Sequence, residues 1–289
     1  FLICMASWLA CGFAWAQGTP DWQAETEALG RTGKLVGEVY KINFPRTDLD
    51  VRVGETKVEA AAGLNSWIAF HPVGGDVAIL GDLVLLAHEV DSVVSALESR
   101  GIQITAIHNH LSGEQPVVVF VHFWARGRGQ DLARAVRLAL LATGTPTEAP
   151  APISEILPFD RAPIETALGK PGEAKGRVLA FSFPRQHSIA VQGMELPPAM
   201  GMATALNFQP SPRGVAATGD FVLREGEVQG VIAALRSGGA TVTAVHNHLL
   251  QEEPRAVFVH FWAEGAASAV ARTLRAALDT FQKQASARR

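Results

Sequence analysis

"HNHLSGEQPVVVFVHFW", residues 108–124, returns as "HNHLLQEEPRAVFVHFW" at residues 246–262. This repetition decides the architecture. Across 105–127 and 243–265, 16 of 23 positions are identical at a constant offset of 138 residues. The match spreads outward from there. Gly81-Asp82 aligns with Gly219-Asp220, Gly101 with Gly239, and Phe70 and Pro72 with Phe208 and Pro210. Earlier still, Phe44-Pro45-Arg46 matches Phe183-Pro184-Arg185 at offset 139, so one residue was gained or lost near Gly54/Gly193. A unit of this length is too long for a solenoid repeat. The chain therefore reads as two tandem homologous domains over 20–144 and 159–284. Between them lies 145–158, a linker by composition with Pro146, Pro150, Pro152 and Pro158.

Within one repeat, the pattern predicts a short helix over 21–29 and a strand over 34–44 that Pro45 ends. An alternating stretch over 48–53 reads as a strand turning at Gly54, and further strands are expected over 67–70 and 77–86. Val90, Val93, Val94 and Leu97 recur at helical spacing over 89–99. A strand over 102–110, a turn over 112–115 and a partner strand over 117–124 follow, then a helix over 130–141. The second repeat runs in the same order, with helices over 227–237 and 267–281. Strands in succession with interspersed helices give an α+β class, each domain an antiparallel sheet covered by helices.

The hairpin gathers the chemistry. Six of the nine histidines lie in the two repeated stretches. Side chains alternate along a strand, so His108 and His110 share one face and Asn109 points away. A turn centred near 113–114 puts His122 and Trp124 on that same face, although pairing sums set His122 nearer Ala106 than His108. Glu114 sits in the turn. His246, His248, Glu252, His260 and Trp262 repeat the arrangement. Imidazoles with a carboxylate suit a divalent metal such as zinc, and this is the cofactor the pattern suggests. His108, His110, His122, His246, His248 and His260 are the metal candidates. A metal-free ligand cleft and a purely structural histidine network remain alternatives, and no catalytic residue is assigned.

Supporting candidates come from the same alignment. Asp82 and Asp220 stand after glycine, placed either to orient a histidine from a neighbouring strand or to make a turn. Arg46 and Arg185 suit an anion or a carboxylate at a strand end. Trp124 and Trp262 serve as core or as cleft wall. The H-x-H-x3-E spacing resembles the first metal motif of cupins, but the cupin glycine pattern is absent and the helices do not suit a jelly roll. The tripeptide His-Asn-His is not a nuclease signature, because the ββα-metal context is missing. No G-x-S-x-G and no phosphate-binding G-x-x-x-x-G-K-[ST] occurs.

Composition bounds the rest. The chain has 289 residues, 48% hydrophobic and 18% charged, enough to bury a substantial core. A net charge of −3 gives no support for a nucleic-acid surface. The first 18 residues carry no charge and contain Ala14-Trp15-Ala16, which reads as a signal peptide over 1–16. No transmembrane span is expected in the mature chain, and export to the periplasm or the exterior follows. Cys4 and Cys11 both fall in this segment, so a metal site in the mature chain must use His, Asp or Glu.

"GDFVL", "VTAVHNHLLQEEPRAVFVHFWAEG" and "ITAIHNHLSGEQPVVVFVHFWARG" resemble the LppY/LpqO family of bacterial exported proteins and lipoproteins. Its members carry an internally repeated domain of unknown function. The resemblance covers nearly all of the mature chain and implies an exported, envelope-associated protein. It supplies no activity, substrate or catalytic residue. The segment around Cys11 is a poor lipobox, unlike that of the lipoprotein members. Three functional readings stand on the sequence. One is an envelope protein binding an unidentified small molecule or envelope component in a His-rich cleft of each repeat. Another is a metal-dependent hydrolase or oxygenase-like enzyme, with Glu114 or Glu252 as ligand or base. The last is a structural or interaction protein of the cell envelope.

Overall fold

The computed structural model describes residues 21–148, 156–185 and 187–286. The expected signal segment and the middle of the linker lie outside these residues. Repeat 1 runs α1 (Gln23–Leu29), β1 (Lys34–Val36), β2 (Val39–Pro45), β3 (Arg52–Val53), β4 (Thr56–Lys57), α2 (Ala60–Gly63), β5 (Asn65–Val73), β6 (Asp76–Leu86), α3 (Val90–Glu98), β7 (Gln103–His108), β8 (Glu114–Gln115), β9 (Val118–Gly127) and α4 (Gly129–Leu141). Repeat 2 runs α5 (Ala162–Leu168), β10 (Glu173–Lys175), β11 (Val178–Pro184), β12 (Ala190–Val191), β13 (Met194–Glu195), β14 (Ala203–Ser211), β15 (Gly214–Leu223), α6 (Val228–Ser237), β16 (Thr241–His246), β17 (Glu252–Glu253), β18 (Val257–Gly265) and α7 (Ala267–Ser286). Each repeat is a six-stranded antiparallel sheet, ordered β1-β2-β5-β6-β9-β7 and β10-β11-β14-β15-β18-β16. The α+β class is as the sequence predicts.

The differences from expectation are local and physical. The expected single strand over 34–44 is a hairpin, turning through Gly37 between β1 and β2. The alternating stretch over 48–53 keeps only β3, which joins β4 and β8 in a small three-stranded ribbon. β9 pairs with β7 as the hairpin reading requires, but its other edge lies on β6. It is thus an interior strand, which explains its near-continuous apolar sequence.

Alternate residues of the central strands serve two cores. Ile79, Leu83, Leu85, Val121 and Phe123 face α3 and α4 in a core internal to repeat 1. There Val93 and Leu97 are buried, with Val90 and Val94 packed beside them. Phe221, Leu223, Val259 and Phe261 do the same against α6 and α7 in repeat 2. The opposite sheet faces are largely covered. Val39, Leu80 and Trp124 pack with Ile189, Met200, Val222 and Phe258 of the other repeat. Val51, Val58, Val84 and Phe120 likewise pack with Ala216 and Trp262. The helix-free faces of the two sheets therefore cover each other, and both tryptophans are core residues of that layer.

Gly81 shows why glycine precedes the aspartate. A Cβ there would stand 2.1 Å from Cζ of Phe123 on the helix side of the sheet. The missing side chain admits the Phe123 ring, while Asp82, one residue on, projects to the opposite face. Gly219 has φ +153° and a Cβ there would lie 1.9 Å from the carbonyl of Ala205, so its backbone also requires glycine.

A candidate metal centre between the repeats

Asp82, His122 and Ala106 lie side by side across β6, β9 and β7, and Asp220, His260 and Ala244 across β15, β18 and β16. His108 pairs with Phe120 and His246 with Phe258 on the same faces. A bulge interrupts β7 between Ile104 and Ala106, and its copy interrupts β16 between Val242 and Ala244. Bulges re-aim the residues that follow, here the strand ends that carry the histidines. At the second bulge, Thr243 Oγ1 donates to the carbonyl of His110 in the other repeat at 2.5 Å.

The structure corrects the expectation of two separate clefts. The six imidazoles form one cluster, stacked reciprocally across the repeats. His108 stacks on His246 with ring centroids 3.5 Å apart, His122 on His248 at 3.8 Å and His110 on His260 at 3.9 Å. Such exchange of equivalent partners is what an approximate twofold relation produces.

The ring nitrogens are sorted by their partners. His108 Nδ1 lies 3.3 Å from the carbonyl of Asn109, His246 Nδ1 3.2 Å from that of Asn247, and His260 Nδ1 3.1 Å from that of Gly219. His122 bonds the backbone of Gly81, the residue equivalent to Gly219. A carbonyl only accepts, so in these rings Nδ1 carries the hydrogen and Nε2 presents a lone pair. The Nε2 atoms of all six histidines are buried with no hydrogen-bond partner, and so is Oδ1 of Asp82. Buried polar atoms are rarely left unpaired. Here seven such atoms gather in one layer, and in His108, His122, His246 and His260 the unpaired Nε2 is the lone-pair atom.

Three sets of ligand atoms each lie within 4.8 Å of one another: Asp82, His110 and His122; Asp220, His248 and His260; and His108, His110, His246 and His248. His122 Nε2 and Asp82 Oδ1 are 3.8 Å apart, a separation two ligands of one ion can keep at about 2.0–2.2 Å each. The expected tri-histidine set of each repeat is thus replaced. His122 and His260 group with an aspartate, while His108 and His246 meet at the centre.

Burial favours neutral imidazoles. It lowers the pKa of His108 to about 3, helped by the neighbouring His246, and that of His246 to about 4. His110, His122, His248 and His260 are pushed down for the same reason, with the other rings adding to it. Burial pushes Asp82 upward, and the Asp220 carboxylate adds to this against the opposing charge of Lys41. Burial raises Asp220 to about 7. Histidines kept neutral are in the state that binds metal.

The remaining candidates fall elsewhere. Glu114 and Glu252 are buried, but they stay in the hairpin loop, outside all three ligand sets. Glu252 Oε1 accepts from Ala256 N–H at 3.3 Å and from Asn247 Nδ2 at 3.4 Å, and Glu114 Oε1 accepts from Val118 N–H at 3.5 Å. Asn109 and Asn247 donate across the hairpin to Val118 and Ala256. Arg46 and Arg185 are held by Glu89 and Glu227 and by the carbonyls of Val84 and Val222, which commits their donors to the fold and not to an anion. Sequence reading missed Lys41, whose Nζ lies 3.7 Å above the Trp67 ring and donates to the carbonyl of Ala199. Burial lowers its pKa to about 8. Neither residue has a counterpart of its type in repeat 2, so the internal alignment passed over them.

Among the described residues, no helix is long and apolar enough to cross a membrane. No curated protein matches the chain. Among solved structures, two of those that match overlap it weakly. A double-ringed trimeric shell protein of the RMM microcompartment is 16% identical, with 75% of this chain and 85% of that one covered at a TM-score of 0.20. The trimeric bacterial microcompartment shell protein PduB is 12% identical, with 88% and 92% covered at a TM-score of 0.22. Scores this low assign no common fold. The family comparison is decisive by contrast, because it matches residues 23–142 and 162–280 separately, once for each repeat. The chain belongs to the family described as Domain of Unknown Function (DUF1259).

Proposed function

We propose that the protein binds two divalent transition-metal ions in the layer between its repeats. One lies on Asp82, His110 and His122, the other on Asp220, His248 and His260. The observation that carries this is the convergence of six buried Nε2 atoms without a partner. Filling the central quartet of histidines instead would leave Oδ1 of Asp82 buried and unpaired, an arrangement that costs about 1–3 kcal/mol. His110 and His248 belong to two sets each, so the quartet and the triads compete for them. Nitrogen and carboxylate ligands favour ions such as Zn(II), Fe(II), Co(II) or Mn(II) over calcium or magnesium.

Equilibrium dialysis against Zn(II) tests the proposal. Two ions per wild-type chain are expected, and loss of both in a His110→Ala, His248→Ala variant that keeps its fold. Unchanged uptake in that variant defeats it.

A second reading follows from the same triads. Two histidines and one carboxylate leave coordination positions free, as in metal-dependent hydrolases and non-haem oxygenases. Turnover that appears with metal and vanishes in Asp220→Asn supports this reading. The uncharged apolar stretch over 1–18 and the resemblance to LppY/LpqO proteins support an exported, envelope-associated setting. N-terminal sequencing of the exported chain tests it, with a mature start near Gln17 as the expected result.

A further inference from the structure

The two triads carry the same ligands but different neighbours. Beside Asp82 in the ladder stands Trp67, and at the equivalent place beside Asp220 stands Ala205. Lys41 lies over the Trp67 ring, where repeat 2 has Ala180. The indole is backed from the other repeat by Gly201, whose missing Cβ would stand 3.1 Å from it. The consequence appears at the carboxylates. The contrast is confined to the carboxylates, since His110 is half-buried while His248 and His260 are buried: Asp82 is 5% exposed and its Oδ1 has no partner, whereas Asp220 is half-buried and takes a hydrogen bond from the Ala205 backbone.

Resting on the two-ion reading above, we propose that the triads divide their labour. The ion on Asp220, His248 and His260 keeps a position for a small anionic or oxygen-donor ligand entering from solvent. The ion on Asp82, His110 and His122 is covered on its carboxylate side by Trp67 and Lys41 and serves to hold the two sheets together. Open and closed coordination are the general mark of reactive and structural metal sites. The duplication thus supplies two copies of one ligand set, and a single large side chain separates their roles.

The test uses Co(II) as a visible ion and azide as the small anion. Asp82→Asn retains the intact triad of repeat 2, and Asp220→Asn that of repeat 1. Azide is expected to shift the Co(II) absorption bands of Asp82→Asn, with at least about tenfold more azide needed for Asp220→Asn. Adding Trp67→Ala to Asp220→Asn should remove the difference. Should that variant not fold, Ala205→Trp in the Asp82→Asn background should weaken azide binding instead. Equal azide affinity in the two single variants overturns the division of labour while leaving the two ions in place. Failure of the wild-type protein to take up Co(II) overturns the two-ion reading itself.

Discussion

The imidazoles of His108 and His246 occupy equivalent positions in the two repeats and stack on each other with centroids 3.5 Å apart. The repeats are therefore not independent units on a tether, since each completes the surroundings of the other's histidines. Leu80, Val84, Trp124, Val222, Phe258 and Trp262 are all buried in the layer between them. At ~1.5–3 kcal/mol for each large apolar side chain, exposing them would cost on the order of 10 kcal/mol. Residues 21–148 and 156–286 expressed as separate chains should thus co-purify as a one-to-one complex. Two separate, soluble monomers on a sizing column would contradict the shared layer.

On the two-ion reading, Asp82 serves a cation at a cost in stability. Its buried Oδ1 lacks a partner in the metal-free protein, and removing an unpaired buried carboxyl relieves a cost of about 1–3 kcal/mol. Asp82→Ala should raise the melting temperature measured in chelator and reduce the further rise on adding Zn(II). A lower melting temperature in chelator would mean that Asp82 has a structural partner.

Acid should unfold the metal-free protein early. The folded pKa of His246 is about 4 and that of His108 about 3, against about 6.5 in an unfolded chain. Below pH 6.5 the unfolded chain binds protons that the folded cluster refuses, so stability falls as the pH drops from about 6.5 towards 4. Asp220 works in the opposite sense. Its folded pKa of about 7 means that stability is lost as the pH rises from about 4 to 7. Six lowered histidines outweigh two raised aspartates, so the net slope is positive with pH. Urea denaturation in chelator at pH 7, 6 and 5 measures it, and the slope should flatten in His108→Ala, His246→Ala. A pH-independent midpoint would contradict the buried, neutral cluster.

Arg46 belongs to the fold. Its side chain is 0% exposed and bonds Asp48, Glu89 and the carbonyl of Val84. Arg46→Met leaves Glu89 buried without its counter-charge, a loss of about 3–5 kcal/mol. Chemical denaturation should show this loss, while metal stoichiometry under native conditions stays at that of the wild type. Loss of metal from a folded Arg46→Met protein would give this residue a part in the site.

The duplication, the sheet-and-helix class and the histidine face were legible because strand alternation and internal identity are local properties. His108, Phe120 and His122 do share a face, and Asp82 stands beside His122 through the β6–β9 ladder. The pairing of His108 with His246 was not legible, because nothing within one repeat says what covers its second sheet face. The apolar run of β6 held a hint. Leu80 and Val84 alternate with Ile79 and Leu83, and a strand apolar on both sides needs a cover on both sides. Glu114 and Glu252 misled for a related reason. Their spacing fits a ligand motif, but the hairpin loop needs acceptors for its own backbone amides, and Glu252 bonds Ala256 N–H.

The most direct test of the central claim is an anomalous difference map from crystals grown with Zn(II). Two peaks are expected. One should lie about 2.0–2.2 Å from Nε2 of His110, Nε2 of His122 and a carboxylate oxygen of Asp82, and the other at the same distances from His248, His260 and Asp220. A single peak among His108, His110, His246 and His248, or no peak in the layer between the repeats, would contradict the account.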